Sequence, residues 1–136
     1  MPSNFKYKNL DNQEYIFDVV RKKYVVLTKE EWVRQQIIHY LVDVKMIPKS
    51  LMSVEKQIVV GGRKRRYDLV VYKNDEPWLI VECKEENEPL NQHVLQQVLS
   101  YTSTMKVCFV AITNGAQICC YDIQQNVWSD GFPDYE

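Results

Sequence analysis

Three charged side chains, Asp68, Glu82 and Lys84, have the types and spacing that could bind a cation and move protons. Asp68 begins an apolar run, a polar turn follows, and Glu82 and Lys84 close a second apolar run. If the runs form a hairpin symmetrical about Asp75, Asp68 lies opposite Glu82 with Cβ atoms roughly 5 Å apart. Lys84 then shares their face, because side chains alternate along a strand. The other expected cross-strand partners are Val70 with Ile80 and Tyr72 with Trp78.

Two carboxylates this close repel each other, so either one stays protonated or a cation lies between them. Oxygen ligands without histidine or thiolate favour Mg²⁺ or Mn²⁺, and the backbone carbonyl of Cys83 could supply a third oxygen. The ammonium of Lys84 would then stabilise charge that develops on a phosphate, a combination suited to hydrolysing phosphodiesters. The alternative is structural: Asp68 ends a strand at the solvent, and Glu82 and Lys84 form a local ion pair.

The surrounding pattern indicates the elements that must hold these side chains. A helix is predicted from Thr28, where Glu31 completes a capping box, and a strand over residues 53–60 precedes the hairpin. A second helix within residues 87–105 and an apolar strand at 106–113 follow, then an Asn-Gly turn and a last strand. The strand–helix–strand spacing requires a right-handed crossover and parallel pairing. We expect a mixed sheet of four to five strands flanked by helices, in the order αβββαβ, with extra N-terminal strands and a C-terminal edge strand.

The composition is that of a globular domain, with 136 residues, 46% of them apolar, and a net charge of −1. A single domain is expected over residues 1–136, with residues 1–14 and 124–136 at its periphery. Since the charge is near zero, a nucleic-acid partner must be recognised through a local basic patch. The four cysteines lack zinc-ligand spacing, and neither a signal peptide nor a membrane-spanning run is found. Reduced thiols and a cytoplasmic location without membrane contact are therefore expected.

The order Asp68, thirteen residues, Glu82-x-Lys84 resembles the D…ExK signature of the restriction-endonuclease-like, or PD-(D/E)xK, nucleases. Further segments are similar to one branch, the N-terminal nuclease domain of type I restriction enzyme R subunits and its stand-alone relatives. They are the helix start LTKEEWVRQ, the strand RKRRYDLVVY, the QxxxY element of the RecB-like branch at residues 97–101, and the strand and turn AITNG. The matches run in order along nearly the whole chain.

The resemblance implies a restriction-endonuclease-like core in an α/β (α+β) domain and the activity of a Mg²⁺- or Mn²⁺-dependent DNA endonuclease. Asp68 and Glu82 match the metal ligands, and Lys84 matches the catalytic lysine. Glu31 matches a helix glutamate that assists the metal site, and its role as capping partner stays open beside this one. Gln97 and Tyr101 match residues that organise the substrate and the lysine, with a polar helix flank as the alternative.

Contacts to DNA are expected from basic side chains close to Asp68, because phosphate contacts are independent of sequence and sensitive to salt. The residues concerned are Arg63, Lys64, Arg65 and Arg66. A second basic cluster, residues 21–23, and Arg34 on the first helix are further candidates, and Asn114 is expected to point toward the substrate groove. For both basic runs the alternative is a solvated surface turn.

The R subunits carry motor domains, whereas these 136 residues contain no GxxxxGK[ST] phosphate loop, so no ATP site is expected in them. Other restriction-modification subunits or a separate motor protein would then supply targeting. Two other functions stay open. One is a catalytically inactive nuclease-fold module that binds DNA or protein, and the other is a repair or junction-resolving nuclease acting as a homodimer.

Overall fold

The computed structural model describes residues 5–60, 62–102 and 106–136. A three-stranded antiparallel sheet contains β1 (Tyr7–Leu10), β2 (Gln13–Asp18) and β3 (Lys23–Val26). A six-stranded sheet contains β4 (Met52–Val60), β5 (Arg63–Lys73), β6 (Glu76–Cys83), β7 (Phe109–Thr113), β8 (Ile118–Asp122) and β9 (Val127–Ser129). Helix α1 (Lys29–Asp43) follows the first sheet, a 3₁₀ helix (Lys49–Leu51) leads into β4, and α2 (Gln92–Thr102) connects β6 to β7.

The strands of the larger sheet lie in chain order from β4 to β9. Each pair of neighbouring strands is antiparallel except the pair β6 and β7, which is parallel. The parallel pair follows from the crossover through α2, as the strand–helix–strand spacing predicted. The fold class and the element order αβββαβ are confirmed. The sheet has six strands rather than four to five. Residues 124–136, expected at the periphery, add β9 beside β8 and bury Phe132, so β8 is not the edge strand.

The two helices cover opposite faces of the larger sheet. Thr28 is the N-cap of α1, and its hydroxyl oxygen accepts a hydrogen bond from the backbone N–H of Glu31 at 3.0 Å. The buried side chains beneath α1 are Val33, Ile37, Ile38 and Leu41 of the helix and Leu69, Val71, Leu79, Val81 and Cys83 of the sheet. Val70, Ile80 and Val98 lie in the cluster beneath α2. The paired residues Leu69–Val71 of β5 and Leu79–Val81 of β6 are all buried and apolar, because this part of the hairpin is covered on both faces.

The β5–β6 hairpin keeps the expected register over most of its length. Val70 pairs with Ile80, as predicted, but Tyr72 pairs with Pro77 and not with Trp78. The reason is a two-residue turn at Asn74 and Asp75, whose φ angles of 53° and 64° are left-handed, followed by a register shift between Val71 and Tyr72. The shift leaves Trp78 of β6 as an extra residue without a partner in the β5 register, that is, a bulge. The predicted symmetry about Asp75 therefore holds from Val71 and Leu79 toward Asp68 and Glu82, and not between the bulge and the turn.

Candidate active site

The two carboxylates expected to face each other do so at the end of the β5–β6 hairpin. Pairing runs up to Leu69 and Val81, and Asp68 and Glu82 follow in the same register. Oδ2 of Asp68 accepts a hydrogen bond from the backbone N–H of Cys83 at 2.7 Å, which fixes this carboxylate against β6. The side chain of Asp68 is 20% exposed, so part of it still meets solvent.

The surroundings of Glu82 favour its neutral form. Burial, a hydrogen bond with Asp68 and the negative charge of Asp68 raise the pKa of Glu82 well above its ordinary value, and Lys84 opposes this only in part. Two carboxylates at this spacing do not both ionise unless a positive charge lies beside them. The pair is therefore suited to take up either a proton or a cation.

Lys84 is anchored at the end of β6. Its backbone N–H donates to the carbonyl oxygen of Thr113 at 2.8 Å, which ties β6 to β7. Its Nζ lies 3.8 Å from Oε2 of Glu88, and the side chain is 36% exposed. A contact this long is weak, and the charge of Lys84 also acts on Glu82 and Glu30 by lowering their pKa values. The structure thus brings together the three residues of the predicted signature.

Cys83, between Glu82 and Lys84, turns its side chain into the core. Burial raises the pKa of its thiol well above the usual range, so the sulfur is neutral. The side chain is 2% exposed and packs in the cluster beneath α1, away from the carboxylates. The backbone carbonyl of Cys83 as a third metal ligand stays a prediction.

Glu31 lies in a set of ion pairs instead of facing open solvent. Its Oε1 accepts from Nη2 of Arg34 at 2.6 Å and from Nη2 of Arg21 at 3.0 Å. Its Oε2 accepts from Nε of Arg34 and from Nε2 of Gln35, both at 3.0 Å. Although burial alone would raise it, these hydrogen bonds and the two arginine charges hold the pKa of Glu31 below its ordinary value. Both oxygens are engaged, so Thr28 caps the helix while the Glu31 carboxylate turns to the arginines.

Glu30, the preceding residue, is the α1 glutamate whose pKa is shifted by the charges of Asp68 and Lys84. Burial and the negative charge of Asp68 raise the pKa of Glu30, while Arg34 and Lys84 lower it. The sequence interpretation chose Glu31 because it matches the helix glutamate of the resembled family, with the capping-box role as the alternative, and did not consider Glu30. The signal that was available is the helical phase, since Glu30 precedes Arg34 by four residues and therefore shares its side of α1.

Sequence reasoning also missed a buried group of ion pairs behind the site, which we name the arginine cluster. Its residues are Asp18, Arg21, Glu31, Arg34 and Gln35. Nε of Arg21 lies 2.6 Å from Oδ2 of the fully buried Asp18, which also accepts from Nε2 of Gln35 at 3.0 Å. Nη1 of Arg34 lies 3.4 Å from Oδ1 of Asp68, which joins the cluster to the site. Arg21 and Arg34, which the sequence offered as further candidates for DNA contacts, are thus engaged in ion pairs within the protein.

Glu55 stands opposite Asp68 on β4 and has a left-handed φ of 54°. Such a conformation costs a residue with a side chain on the order of 1–3 kcal/mol and persists only where its surroundings enforce it. The surroundings here are Arg21 at 3.0 Å, and Arg34 and Arg66 at 3.4 Å from the Glu55 carboxylate. Across this position the packing of β5 changes side, because Tyr67 belongs to the cluster beneath α2 and Leu69 to the one beneath α1.

The QxxxY element lies on α2, as expected. Gln97 is exposed on this helix. The side chain of Tyr101 lies outside the described residues, so its predicted role stays a prediction.

Asn114 serves the β7–β8 turn and does not face a groove. It is 4% exposed, its Nδ2 donates to the carbonyl oxygen of Glu88 at 3.0 Å, and its Oδ1 accepts from the backbone N–H groups of Ala116 and Gln117 at 3.0 and 2.8 Å. The carboxamide is engaged with backbone on both sides, because an Asn before Gly stabilises this turn. Its expected contact with DNA finds no support in this geometry.

The basic run is part of a strand, not a surface turn. Residues 63–66 begin β5 and pair with residues 57–60 of β4. Arg63, Lys64 and Arg66 are exposed, and Nη1 of Arg66 lies 3.4 Å from Oε2 of Glu55. The run therefore leads along β5 directly to Asp68.

The implied metal, Mg²⁺ or Mn²⁺, requires a set of oxygen donors. Across residues 5–60, 62–102 and 106–136, no group of three or more His, Cys, Asp or Glu side chains is arranged to hold an ion. Mg²⁺ commonly takes one or two carboxylates and completes its shell with water and substrate phosphate oxygens. Asp68 and Glu82, two hard oxygen donors lacking a full balancing charge, fit this pattern, whereas a closed all-protein cage does not exist among these residues.

Comparison with known proteins places the chain beside one family. Residues 29–131 match the model for the family described as type I restriction enzyme R protein N terminus. A solved fragment structure, assigned to an HsdR subunit of a type I restriction enzyme from Vibrio vulnificus YJ016, has a TM-score of 0.59 and 22% sequence identity. The match covers 76% of this chain and 22% of that one, so this chain spans about a fifth of that relative. No curated protein sequence matches.

In the described part of the chain, no helix is long and apolar enough to cross a membrane.

Proposed function

Because the chain belongs to the family of type I restriction enzyme R protein N-terminal regions, as its motifs predicted, we propose that it is a Mg²⁺- or Mn²⁺-dependent endodeoxyribonuclease domain. The observation that carries the proposal is the opposition of Asp68 and Glu82, with Lys84 beside them, at the end of one hairpin. Two ionised carboxylates directly opposite each other destabilise a sheet unless positive charge lies between them, and a divalent cation would supply that charge.

Asp68, Glu82 and Lys84 would each have a defined role in the reaction. Asp68 and Glu82 would hold the cation, which when bound polarises a phosphoryl oxygen and helps to activate the attacking water. The N–H of Cys83 fixes Asp68 in place, which reduces the reorganisation needed at the moment of reaction. The ammonium of Lys84 would stabilise the negative charge that develops on the phosphate. Glu31 acts indirectly, by holding Arg34 against Asp68.

The substrate and partners follow from the family and from the charges near the site. DNA would be held through the face of the basic run, residues 63–66, that carries Lys64 and Arg66, because phosphate contacts need positive charge beside the metal site. Gln97 and Tyr101 on α2 would help to organise the substrate. Other restriction-modification subunits or a separate motor protein would bring the domain to its target in the cytoplasm.

A calorimetric titration with Mn²⁺ tests the proposed site. We expect one site per chain, and affinity at least about tenfold weaker in Asp68→Asn and Glu82→Gln, because each variant removes one charged ligand. Asp75→Asn is the matched control, since it makes the same change at the exposed turn of the same hairpin, and it should bind Mn²⁺ as the wild type does.

Two outcomes would contradict the proposal. Either the wild type binds no Mn²⁺, or Asp68→Asn binds it equally well while its circular dichroism spectrum shows a native fold. Both results favour the alternative function, a nuclease-fold module that binds DNA or protein without cutting. Arg34, whose guanidinium already lies 3.4 Å from Asp68, would then be the permanent partner of that carboxylate.

A further inference from the structure

Strands β4 and β5 continue well beyond the rest of the sheet. Strand β6 pairs with β5 only from Leu69 to Lys73, whereas β4 pairs with β5 as far as Arg63. Among the residues that the structure describes, the five cross-strand pairs that join residues 56–60 to residues 63–67 therefore lack a third strand paired with them. At about 3.3 Å per residue this two-stranded extension is roughly 16 Å long. We name it the basic ribbon.

The charge of the basic ribbon differs from that of the whole chain. Residues 56–67 contain five positively charged side chains and no acidic one, although the net charge of the protein is −1. The positive residues are Lys56, Arg63, Lys64, Arg65 and Arg66. The rest of the chain is net acidic, so attraction for a polyanion is concentrated in this extension and at its root beside Asp68.

The two faces of the basic ribbon differ in what they contact. Ile58 and Tyr67 pack against the cluster beneath α2, and Arg65 pairs with Ile58, so this face is turned toward the protein. Lys64 and Arg66 alternate with these residues and lie on the other face, where both are exposed.

The exposed face leads to the carboxylate pair. Arg66 reaches Glu55, and Glu55 in turn contacts Arg34, which lies beside Asp68. Glu55 has a left-handed φ, and the packing side of β5 changes at the same level. An irregularity of this kind re-aims a strand relative to its sheet. The ribbon and the site are thereby joined at one irregular position.

We propose that the basic ribbon lies in the major groove of duplex DNA, with Lys64 and Arg66 on the phosphates that lead to Asp68. The inference rests on the proposed function and adds to it the element that contacts the duplex and the direction from which the DNA approaches Asp68. The major groove is about 12 Å wide and admits a two-stranded ribbon. Single-strand binding relies on exposed aromatic platforms. Tyr67 is the one aromatic residue at positions 56–67, and it is 1% exposed.

The test is fluorescence anisotropy with a labelled duplex of about 20 base pairs, in EDTA, over a series of salt concentrations. The double variant Lys64→Ala/Arg66→Ala is compared with Arg63→Ala/Arg65→Ala, which removes the same charge from the other face. We expect the first variant to bind at least about tenfold more weakly at 0.1 M salt and to lower the salt slope by about 1.8, two contacts at 0.9 each. The second should change affinity by less than about threefold. Thermal unfolding verifies that both variants fold.

Equal losses in the two double variants, or tighter binding to a single strand of the same length, would overturn the inference. The measurement needs no cleavage, so the inference and the proposed function fail separately. A protein that cuts DNA while both double variants bind alike refutes only the groove contact. A protein that binds duplex through Lys64 and Arg66 but takes up no Mn²⁺ keeps the groove contact and refutes the nuclease.

Discussion

Two charged regions meet beneath the start of α1, and they balance their charges in opposite ways. In the arginine cluster, Arg21 and Arg34 stand between Asp18 and Glu31, and each carboxylate accepts two or more hydrogen bonds from charged or amide groups. In the Asp68–Glu82 pair, two acids face each other, and Arg34 reaches only Asp68, at 3.4 Å. In the first region the protein itself supplies the positive charge that balances the carboxylates, whereas in the second region it supplies too little.

The pKa values of the two glutamates express this difference. Burial acts to raise the pKa of both Glu31 and Glu82. Arginine and glutamine donors reverse the effect at Glu31, while the hydrogen bond with Asp68 and its charge reinforce it at Glu82. Burial therefore does not distinguish a structural carboxylate from one suited to bind a cation, and the balance of neighbouring charges does.

The largest expected effect comes from breaking the balanced region. Arg34→Met keeps much of the apolar volume but leaves Glu31 without its main partner, and removing one member of a buried ion pair costs about 3–5 kcal/mol. We expect a loss of this size in the free energy of unfolding, measured by urea titration at pH 7.

Arg66→Met is the matched control, because Arg66 also contacts Glu55 but its side chain is 67% exposed. Its effect should lie within about 0.5 kcal/mol. If Arg34→Met cost no more than Arg66→Met, the arginine cluster would not be the structural unit described above.

A smaller effect of opposite sign is expected from the unbalanced region. The pKa of Glu82 is raised in the folded state, so its contribution to stability is fully present below its unfolded pKa and is lost as pH rises toward the folded value. Without divalent cations, the wild type should therefore lose stability as pH increases from 5 to 9. Glu82→Gln donates a neutral hydrogen bond to Asp68 at every pH and should be more stable at pH 8 by on the order of 1 kcal/mol. Thermal unfolding in EDTA at several pH values measures this.

Glu86→Gln, an exposed carboxylate on the loop after β6, serves as the control and should leave the pH profile unchanged. A Glu82→Gln variant that is less stable than the wild type at pH 8 would show that Glu82 is ionised in the fold. The contrast between the two regions would then be wrong.

The sequence predicts those parts of this arrangement that depend on contacts between residues close together in the chain. The opposition of Asp68 and Glu82 follows from a hairpin whose turn and two apolar runs lie within the seventeen residues 68–84, and the capping of α1 by Thr28 is equally local. The sequence does not predict the bulge at Trp78, because the bulge depends on the backbone conformation of the turn at Asn74 and Asp75. The arginine cluster was missed because Asp18 and Arg21 meet Glu31, Arg34 and Gln35 only once the end of β2 and the segment after it have packed against α1.

The central claim is that the Asp68–Glu82 pair and Lys84 form a metal-dependent nuclease centre. The most direct measurement is cleavage of supercoiled plasmid and short duplexes, with and without Mg²⁺ or Mn²⁺, by the wild type and by Lys84→Ala. The account predicts metal-dependent nicking or cutting by the wild type and a loss of about 10²–10³-fold in rate for Lys84→Ala, with its fold and duplex binding retained. Cleavage by Lys84→Ala at the wild-type rate, or no metal-dependent cleavage by the wild type, would contradict it.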